Sequence, residues 1–414
     1  MNDYEPLKGG ALTGERYRVI VSTDIGGSDP DDYQSIVHYL LYSDIFDTEG
    51  LLSSPWGEGT VQDILDVIDA YDKDYPNLIR HSKTYPTPEY LRSITKQGAI
   101  DAAPYKGYSK PTEGSEWIIQ CAKKDDPRTL YILVWGLLDD VAQALHDDPS
   151  IQAKLRVYYI AGPNKKWGVN SHAYIERNFP NLWMIENNST YRGWFVGGDQ
   201  SGDLGNQTFV NEHIQGHGAL GEFFCRFLDN TIKMGDTPSV AYLLRGNPEN
   251  PESPSWGGQF IPVHSRPNTV FHGNTTLDDV VELFGLAEFV FKGPHIDIDP
   301  DTPAFTMTIA RQDFMGYYTG DGEYRIRFMP KSIGDWSYVV SSDIPELNGL
   351  TGQFRSVAES QVSRGRDPLR FANWWSDILD PELKDGEISG SKTVNKWRDQ
   401  FLRDFQKRMD RCTG

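Results

Sequence analysis

The sequence predicts an α/β fold, a mostly parallel sheet with helices on both faces, followed by a small β-sandwich. Over the first two-thirds, short β-branched runs alternate with segments of helical periodicity. After about residue 286 the pattern changes to short alternating runs separated by Gly, Pro and Asp turns. The end of the chain returns to helical spacing.

Each element follows from its residues. Tyr17 to Ser22 (YRVIVS) reads as a buried parallel strand ending at Asp24. Asp31 to Tyr42 spaces Ile36, Val37, Leu40 and Leu41 as a helix does. Glu49 to Ser53 is a second strand, followed by a loop (SPWGEG) and a helix near Val61 to Tyr71. Leu130 to Trp135 is a third strand, with a helix at Leu138 to Leu145, and Leu155 to Gly162 is a fourth. A further strand begins at Leu182. In such sheets ligands sit at the carboxyl ends of the strands. That rule places Asp24, Ser54 to Trp56, Gly136 to Asp139 and Gly162 to Asn164 on one rim. Glu288 to Lys292, Ala304 to Ala310, Glu323 to Phe328 and Trp336 to Ser341 read as strands of the sandwich. Lys392 to Arg411 carries Val394, Trp397, Phe401, Leu402 and Phe405 on one face, an amphipathic helix expected to pack back on the first domain. The expected divisions are 1–285, 286–360 and 361–414.

Composition narrows the function. With 40 Lys and Arg against 59 Asp and Glu, the net charge is −19. Such a chain repels nucleic acid and anionic membranes, and no apolar run approaches the length of a membrane span. The three cysteines lack metal-ligand spacing. The start, MNDYEPLKGG, does not read as a signal peptide. The 11 Trp, 21 Tyr and 19 Phe favour a ligand with apolar faces, such as a sugar.

The segment Ser22 to Asp32 (STDIGGSDPDD) carries the chemistry. Asp24, Asp29, Asp31 and Asp32 fall within nine residues at a strand end, and Gly26 and Gly27 allow a tight turn. Clustered carboxylates repel unless a cation neutralises them, and an all-oxygen set suits Ca²⁺. An acidic helix start alone would explain Asp31 and Asp32, but not Asp24.

This segment resembles the N-terminal signature of nucleoside hydrolases, DxDPGxDD. Trp135 to Asp140 (WGLLDD) resembles the family's GPLTN turn, with Asp139 where the Thr stands. Asp236 to Leu244 (DTPSVAYLL) resembles HDPLAVAYLL, with Asp236 at the metal-binding Asp. Gly50 to Gly57 matches the strand after the first helix. The likeness spans roughly 17 to 285 and is nearest to the divergent nucleoside hydrolase-like domain of cellulose-binding proteins, to which KKWGVN, TYRGWF and GDTPS also point. The second domain, with YRIRFMP and GDWSY, resembles Ig-like modules found beside glycoside hydrolases.

The resemblance implies Asp24 as calcium ligand and base, Asp32 as bidentate ligand, Asp139 as a ligand through its backbone carbonyl, and Asp236 as a further ligand. It implies Asp31 on a sugar hydroxyl. It also points to a homo-oligomer and to a secreted or periplasmic protein. The departures are specific. Ser22 replaces the first Asp, the loop is longer and carries Asp29, and Gly235 stands where the family places a His on the leaving group. The family's sugar clamp has no clear match, and Asn170 and Asn178 are its candidates. Asp29, Trp56, Asn170, Tyr191, Arg192 and Trp256 are the other candidate substrate contacts, and Trp167 is a further loop aromatic. His172, His264 and Glu176 are weaker candidates for a general acid, and Trp374 and Trp375 are expected at the domain junction.

Two functions are expected to compete. One is a Ca²⁺-dependent hydrolase of an N- or O-glycosidic bond, acting on a small sugar, nucleoside or oligosaccharide. The other is a non-catalytic binder of plant polysaccharide that keeps the fold. A metal-free structural role for the acidic loop ranks third.

Overall fold

The computed structural model describes residues 7–54, 59–263, 268–359 and 371–414. Trp56 and His264 lie outside the described residues. The first domain opens with β1 (Arg18–Thr23) and α1 (Asp31–Leu41), then β2 (Asp47–Ser53), α2 (Val61–His81), α3 (Pro88–Ser93) and β3 (Thr95–Gln97). It continues with α4 (Glu113–Ala122), β4 (Leu130–Val134), α5 (Asp139–Asp147), β5 (Leu155–Ile160), α6 (Asn164–Trp167), α7 (Val169–Asn178) and β6 (Trp183–Asn187). Three helices follow, α8 (Asn206–His213), α9 (Gly218–Phe224) and α10 (Thr237–Leu244), then a short β7 (Phe260–Pro262).

The strand order runs β3-β2-β1-β4-β5-β6, every pair parallel. Every residue of β1 is buried, because neighbours flank it on both sides and helices cover both faces. Its side chains alternate between two cores. Val19 and Val21 join Ile36, Val37 and Leu40 of α1, whereas Ile20 joins Ile132, Val134 and Leu138. The order reverses between β1 and β4, and such a switch point opens a crevice at the strand ends.

Two helices differ from expectation. α2 does not stop near Tyr71 but continues through Pro76 to His81. Its buried face (Ile64, Val67, Ile68, Tyr71, Leu78) spans the proline, so tertiary packing outweighs the lost hydrogen bond. The expected C-terminal helix is two, α11 (Lys392–Asn395) and α12 (Arg398–Met409), broken at Lys396 and Trp397. α12 packs on the first domain. Phe401 stacks on Trp194 at 3.8 Å, and the buried Arg398 donates to the carbonyls of Trp194 and Leu204.

The second domain is all-β and sandwich-like. Its strands are β8 (Thr269–His272), β9 (Val280–Glu282), β10 (Ala287–Lys292), β11 (Pro303–Ile309), β12 (Gln312–Gly320), β13 (Glu323–Phe328), β14 (Gly334–Ser341) and β15 (Thr351–Val357). They order as β8-β10-β13-β12-β11-β14-β15-β9. β8 and β9 already belong to this sheet, so it begins before residue 286. Phe289, Phe291, Phe305, Tyr324, Ile326, Phe328 and Phe354 form its interior.

The chain then returns. β16 (Trp374–Asp377) adds in parallel beside β6 and carries β7 antiparallel on its outer edge. Trp374 and Trp375 are thus part of the first sheet. Trp374 is buried against Phe371, and Trp375 lies 5.2 Å from Trp183.

Charged and ring contacts dock the two domains. Glu288 accepts from the Tyr105 hydroxyl at 2.8 Å, Arg327 donates to the Tyr105 carbonyl at 2.7 Å, and Lys106 pairs with Asp301 at 2.6 Å. Trp167 stacks on Phe314 at 5.2 Å. Among the described residues, no helix is long and apolar enough to cross a membrane.

Candidate functional site

The site lies at the switch point. β1 ends at Thr23, so Asp24 emerges at the strand's carboxyl end beside Gly136, which follows β4. A Cβ on Gly136 would stand 2.6 Å from the Asp24 Cβ, so only glycine lets the two strand ends close. Gly26, at φ 85°, turns the chain, and the Gly27 N–H donates to the Asp24 carbonyl at 2.9 Å. The turn delivers Asp31 and Asp32 into the first turn of α1, where the helix dipole favours anions. From the far side of the sequence, Asp236 stands immediately before α10, with no capping hydrogen bond from its side chain. The Trp135 indole N–H donates to Ser239 of α10 at 2.7 Å and ties the two elements together.

Asp31, Asp32 and Asp236 are buried, and one oxygen of each lies within 4.8 Å of the others. A calcium ion with oxygens at about 2.4 Å spans about 4.8 Å between opposite ligands, so this group is sized for such a cation. The Asp236 Oδ2 is buried and has no hydrogen-bond partner among the described residues. A buried carboxylate oxygen left bare is costly unless something cationic meets it. The donor set is all oxygen, which suits a hard cation.

The electrostatics agree. Burial pushes the Asp24 carboxyl up to about 7, helped by the charge of Asp31. Burial also raises Asp31, Asp32 and Asp236, each further raised by its carboxylate neighbours. A cation among them would return all four to the carboxylate range. Asp29 behaves differently. Burial works against its ionisation, but hydrogen bonds from Asp31 and Lys233 hold it below its ordinary value. Lys233 pairs with Asp29 and lies 3.8 Å from Asp31.

These carboxylates form one wall of a cavity of about 230 Å³. Tyr191, Trp135 and Trp167 supply its aromatic surface. Burial pushes the Tyr191 phenol above its usual value, and Asp31 adds to this, so it stays a neutral donor. Lys166 also lines the cavity, with Gln312 and Lys331 contributed by the second domain. Asp377 of β16 sets the Tyr191 loop. Its carboxylate accepts the N–H groups of Asn188, Ser189 and Thr190 at 2.9, 3.1 and 2.8 Å.

The structure thus gathers Asp24, Asp29, Asp31, Asp32, Tyr191 and Asp236, and it separates the other candidates. Asp24 lines the cavity but stands outside the group of three closest oxygens. Asp139 does not line it. Its carboxylate, which the expected backbone-carbonyl contact does not use, accepts from the Ala103 N–H at 2.5 Å and the Ser171 hydroxyl at 3.1 Å. Trp256 is a core residue, its ring under Arg245 and its N–H on Gln400 at 3.3 Å. Arg192 is exposed and lines a different cleft, with Phe284 and Leu379. Asn170 joins the domains, donating to the Ala103 carbonyl and accepting from Arg327 at 3.2 Å. It lines a neighbouring cavity of about 570 Å³ that shares Lys166 and Trp167 with the acidic one. His172 is buried on Glu186 at 2.9 Å, Glu186 meets Lys165 at 2.8 Å, and Glu176 accepts from Asn268, so these groups hold the framework. Ser22, at the family's first Asp, is buried within β1.

Gly235 has a structural cause. Its N–H donates to Asp31 Oδ2 at 2.8 Å, and a Cβ there would stand 2.3 Å from the same oxygen. A side chain there, where the resemblance places a His, would have to displace the Asp31 carboxylate.

Lys166, Lys233, Lys331, Gln312 and Trp135 were not singled out from sequence. KKW next to the predicted Gly162 to Asn164 rim was the available signal for Lys166. Lys331 comes from the second domain, and nothing in its own segment marks it.

The comparisons with known proteins follow this geometry. Residues 18–260, more than half of the chain, match the family described as cellulose-binding Sde182, nucleoside hydrolase-like domain. Residues 280–343 match a domain of unknown function, DUF5060. No curated protein matches the chain. A nucleoside hydrolase-related hypothetical protein from Saccharophagus degradans, associated with carbohydrate metabolism, is 20% identical with TM-score 0.51, covering 83% of this chain and 100% of that one. An inosine-guanosine nucleoside hydrolase is 15% identical with TM-score 0.42, covering 60% of this chain and 82% of its own. The inosine-uridine preferring enzyme of Bacillus anthracis is 16% identical with TM-score 0.38, covering 60% and 86%. The first of these likenesses is one of fold. Sheet order, the acidic turn after β1 and the match over 18–260 lead to one conclusion: the chain belongs to the cellulose-binding Sde182 family, through its nucleoside hydrolase-like domain.

Proposed function

We propose that the protein is a calcium-dependent hydrolase of glycosidic bonds, acting on a saccharide whose terminal ring enters the acidic cavity. The observation that carries this reading is the buried group of Asp31, Asp32 and Asp236 with the bare Asp236 Oδ2, beside Asp24. Asp31, Asp32 and Asp236 would hold a calcium ion, which would supply Lewis acidity toward water and sugar hydroxyls. Asp24 accepts the proton of the attacking water at its carboxylate, as a base on the face opposite the leaving group. Asp31 hydrogen-bonds a ring hydroxyl, and Tyr191 donates from the side. Trp167 offers a ring face at the mouth, and the adjoining cavity leaves room for more of the saccharide.

One observation favours a second reading, a saccharide-binding protein without catalysis. Gly235 supplies no acid near the leaving group, and among the described residues no histidine lines the cavity. The family's name supports a saccharide ligand under either reading.

The test is turnover. Neutral and acidic oligosaccharides, aryl glycosides and nucleosides are incubated with the protein in calcium and in chelator. Release of sugar in calcium, lost in Asp24→Asn, supports hydrolysis. Saccharide binding without bond cleavage in any condition transfers the conclusion to the second reading.

A further inference from the structure

The cavity that holds the carboxylates also carries positive charge that the proposed sugar chemistry does not use. Lys166 is buried to 3% exposure, yet its ammonium meets no carboxylate among the described residues. Its partners are the Gln312 Oε1 at 2.5 Å and the face of Trp167 at 4.1 Å. An ammonium has three donors, and a buried charge without a counter-ion is costly. Lys331, an exposed residue of the second domain, faces the same cavity and has no ion pair among the described residues either. Lys331 adds to the burial that lowers the Lys166 ammonium to about 8, so the two cations repel each other across the cavity wall. At neutral pH Lys166 keeps most of its charge. Lys233, by contrast, is satisfied by Asp29 and Asp31. In a chain of net charge −19, two unpaired lysines converging on one cavity mark a place where an anion is received.

We propose that the cavity takes an anionic sugar, a uronate or a sugar phosphate, with its hydroxyls toward Asp31, Asp32 and Asp236 and its acidic group between Lys166 and Lys331. This rests on the saccharide reading above and names the class of sugar. The cavity is divided for such a ligand, with acid at the hydroxyl end and base at the anionic end. Gln312 orients Lys166 from the second domain, so specificity for the anion is shared between the domains.

The experiment is titration calorimetry on the full chain at fixed calcium. The ligands are an oligosaccharide ending in a uronic acid, its carboxyl-reduced neutral counterpart, and a hexose phosphate. An anionic ligand is expected to bind about tenfold tighter than the neutral one, with the advantage shrinking at high salt. Which anion gains distinguishes carboxylate from phosphate. Lys331→Gln, an exposed change that leaves the core intact, is expected to remove most of that preference. Lys166→Met is expected to do the same more completely. Equal binding of the neutral and anionic ligands overturns this inference alone. So does a preference that survives both substitutions. Binding of none of the three refutes the saccharide reading together with it.

Discussion

Gly235→Ala tests whether the acidic group is as tightly built as its distances say. The added methyl would stand 2.3 Å from Asp31 Oδ2, about 1 Å inside contact distance. Asp31 has little room to yield, being buried in the first turn of α1 and held by the Gly235 N–H at 2.8 Å. Overpacking a filled site costs about 1–3 kcal/mol, and weakening a hydrogen bond to a buried carboxylate costs about 1–3 more. Part is recovered because displacing Asp31 relieves repulsion from its neighbours. The net expectation is a loss of about 2–4 kcal/mol, or roughly 3–7 °C in melting temperature for a domain of this size. Calcium affinity should fall at least about tenfold, since one of three gathered carboxylates moves. Differential scanning calorimetry and calcium titration read both. A variant melting within about 1 °C of the parent and binding calcium equally would refute the steric reasoning.

Two other substitutions probe the scaffold. Burial first, then the charge of Arg408, lowers the His38 imidazole to about 3, so the folded chain stays neutral there where the unfolded chain takes a proton. That stability is present above about pH 6.5 and is lost as pH falls toward 3, by about 4–5 kcal/mol at the limit. His38→Phe, among the rings of Tyr42, Trp194 and Phe405, should move the acid-unfolding midpoint to lower pH, and an unchanged midpoint contradicts the assignment. Asp377→Ala leaves three buried N–H groups of the Tyr191 loop without their acceptor. A loss of at least about 3 kcal/mol is expected, with weaker ligand binding in whatever folds, and a neutral result would show that the loop holds itself.

Much of the fold was legible because a doubly covered parallel sheet demands apolar runs rich in β-branched residues, and β1, β4 and β5 have them. The edge was not. β16 is separated from its neighbour β6 by a whole domain, and WWSD has too little strand character to reveal the pairing. The break at Trp397 was hidden because the apolar spacing of 392–411 continues across it. The acidic turn was legible because Asp24, Asp31 and Asp32 lie close in sequence. The lysine wall was not, because Lys166 and Lys331 meet only when the two domains dock. Trp256 looked like a site residue by its loop position, and burial in the core accounts for it instead.

The central claim is that Asp31, Asp32 and Asp236 bind a divalent cation, and the most direct measurement is the melting temperature in calcium and in chelator. A ligand of the folded state alone adds about 2.7 kcal/mol at a hundred times its dissociation constant. Calcium is predicted to raise the melting temperature of the parent by several degrees, and to raise that of Asp32→Asn and Asp236→Asn little or not at all. An equal response, or none, in all three proteins would contradict the claim and leave the carboxylates as a helix cap with no cation.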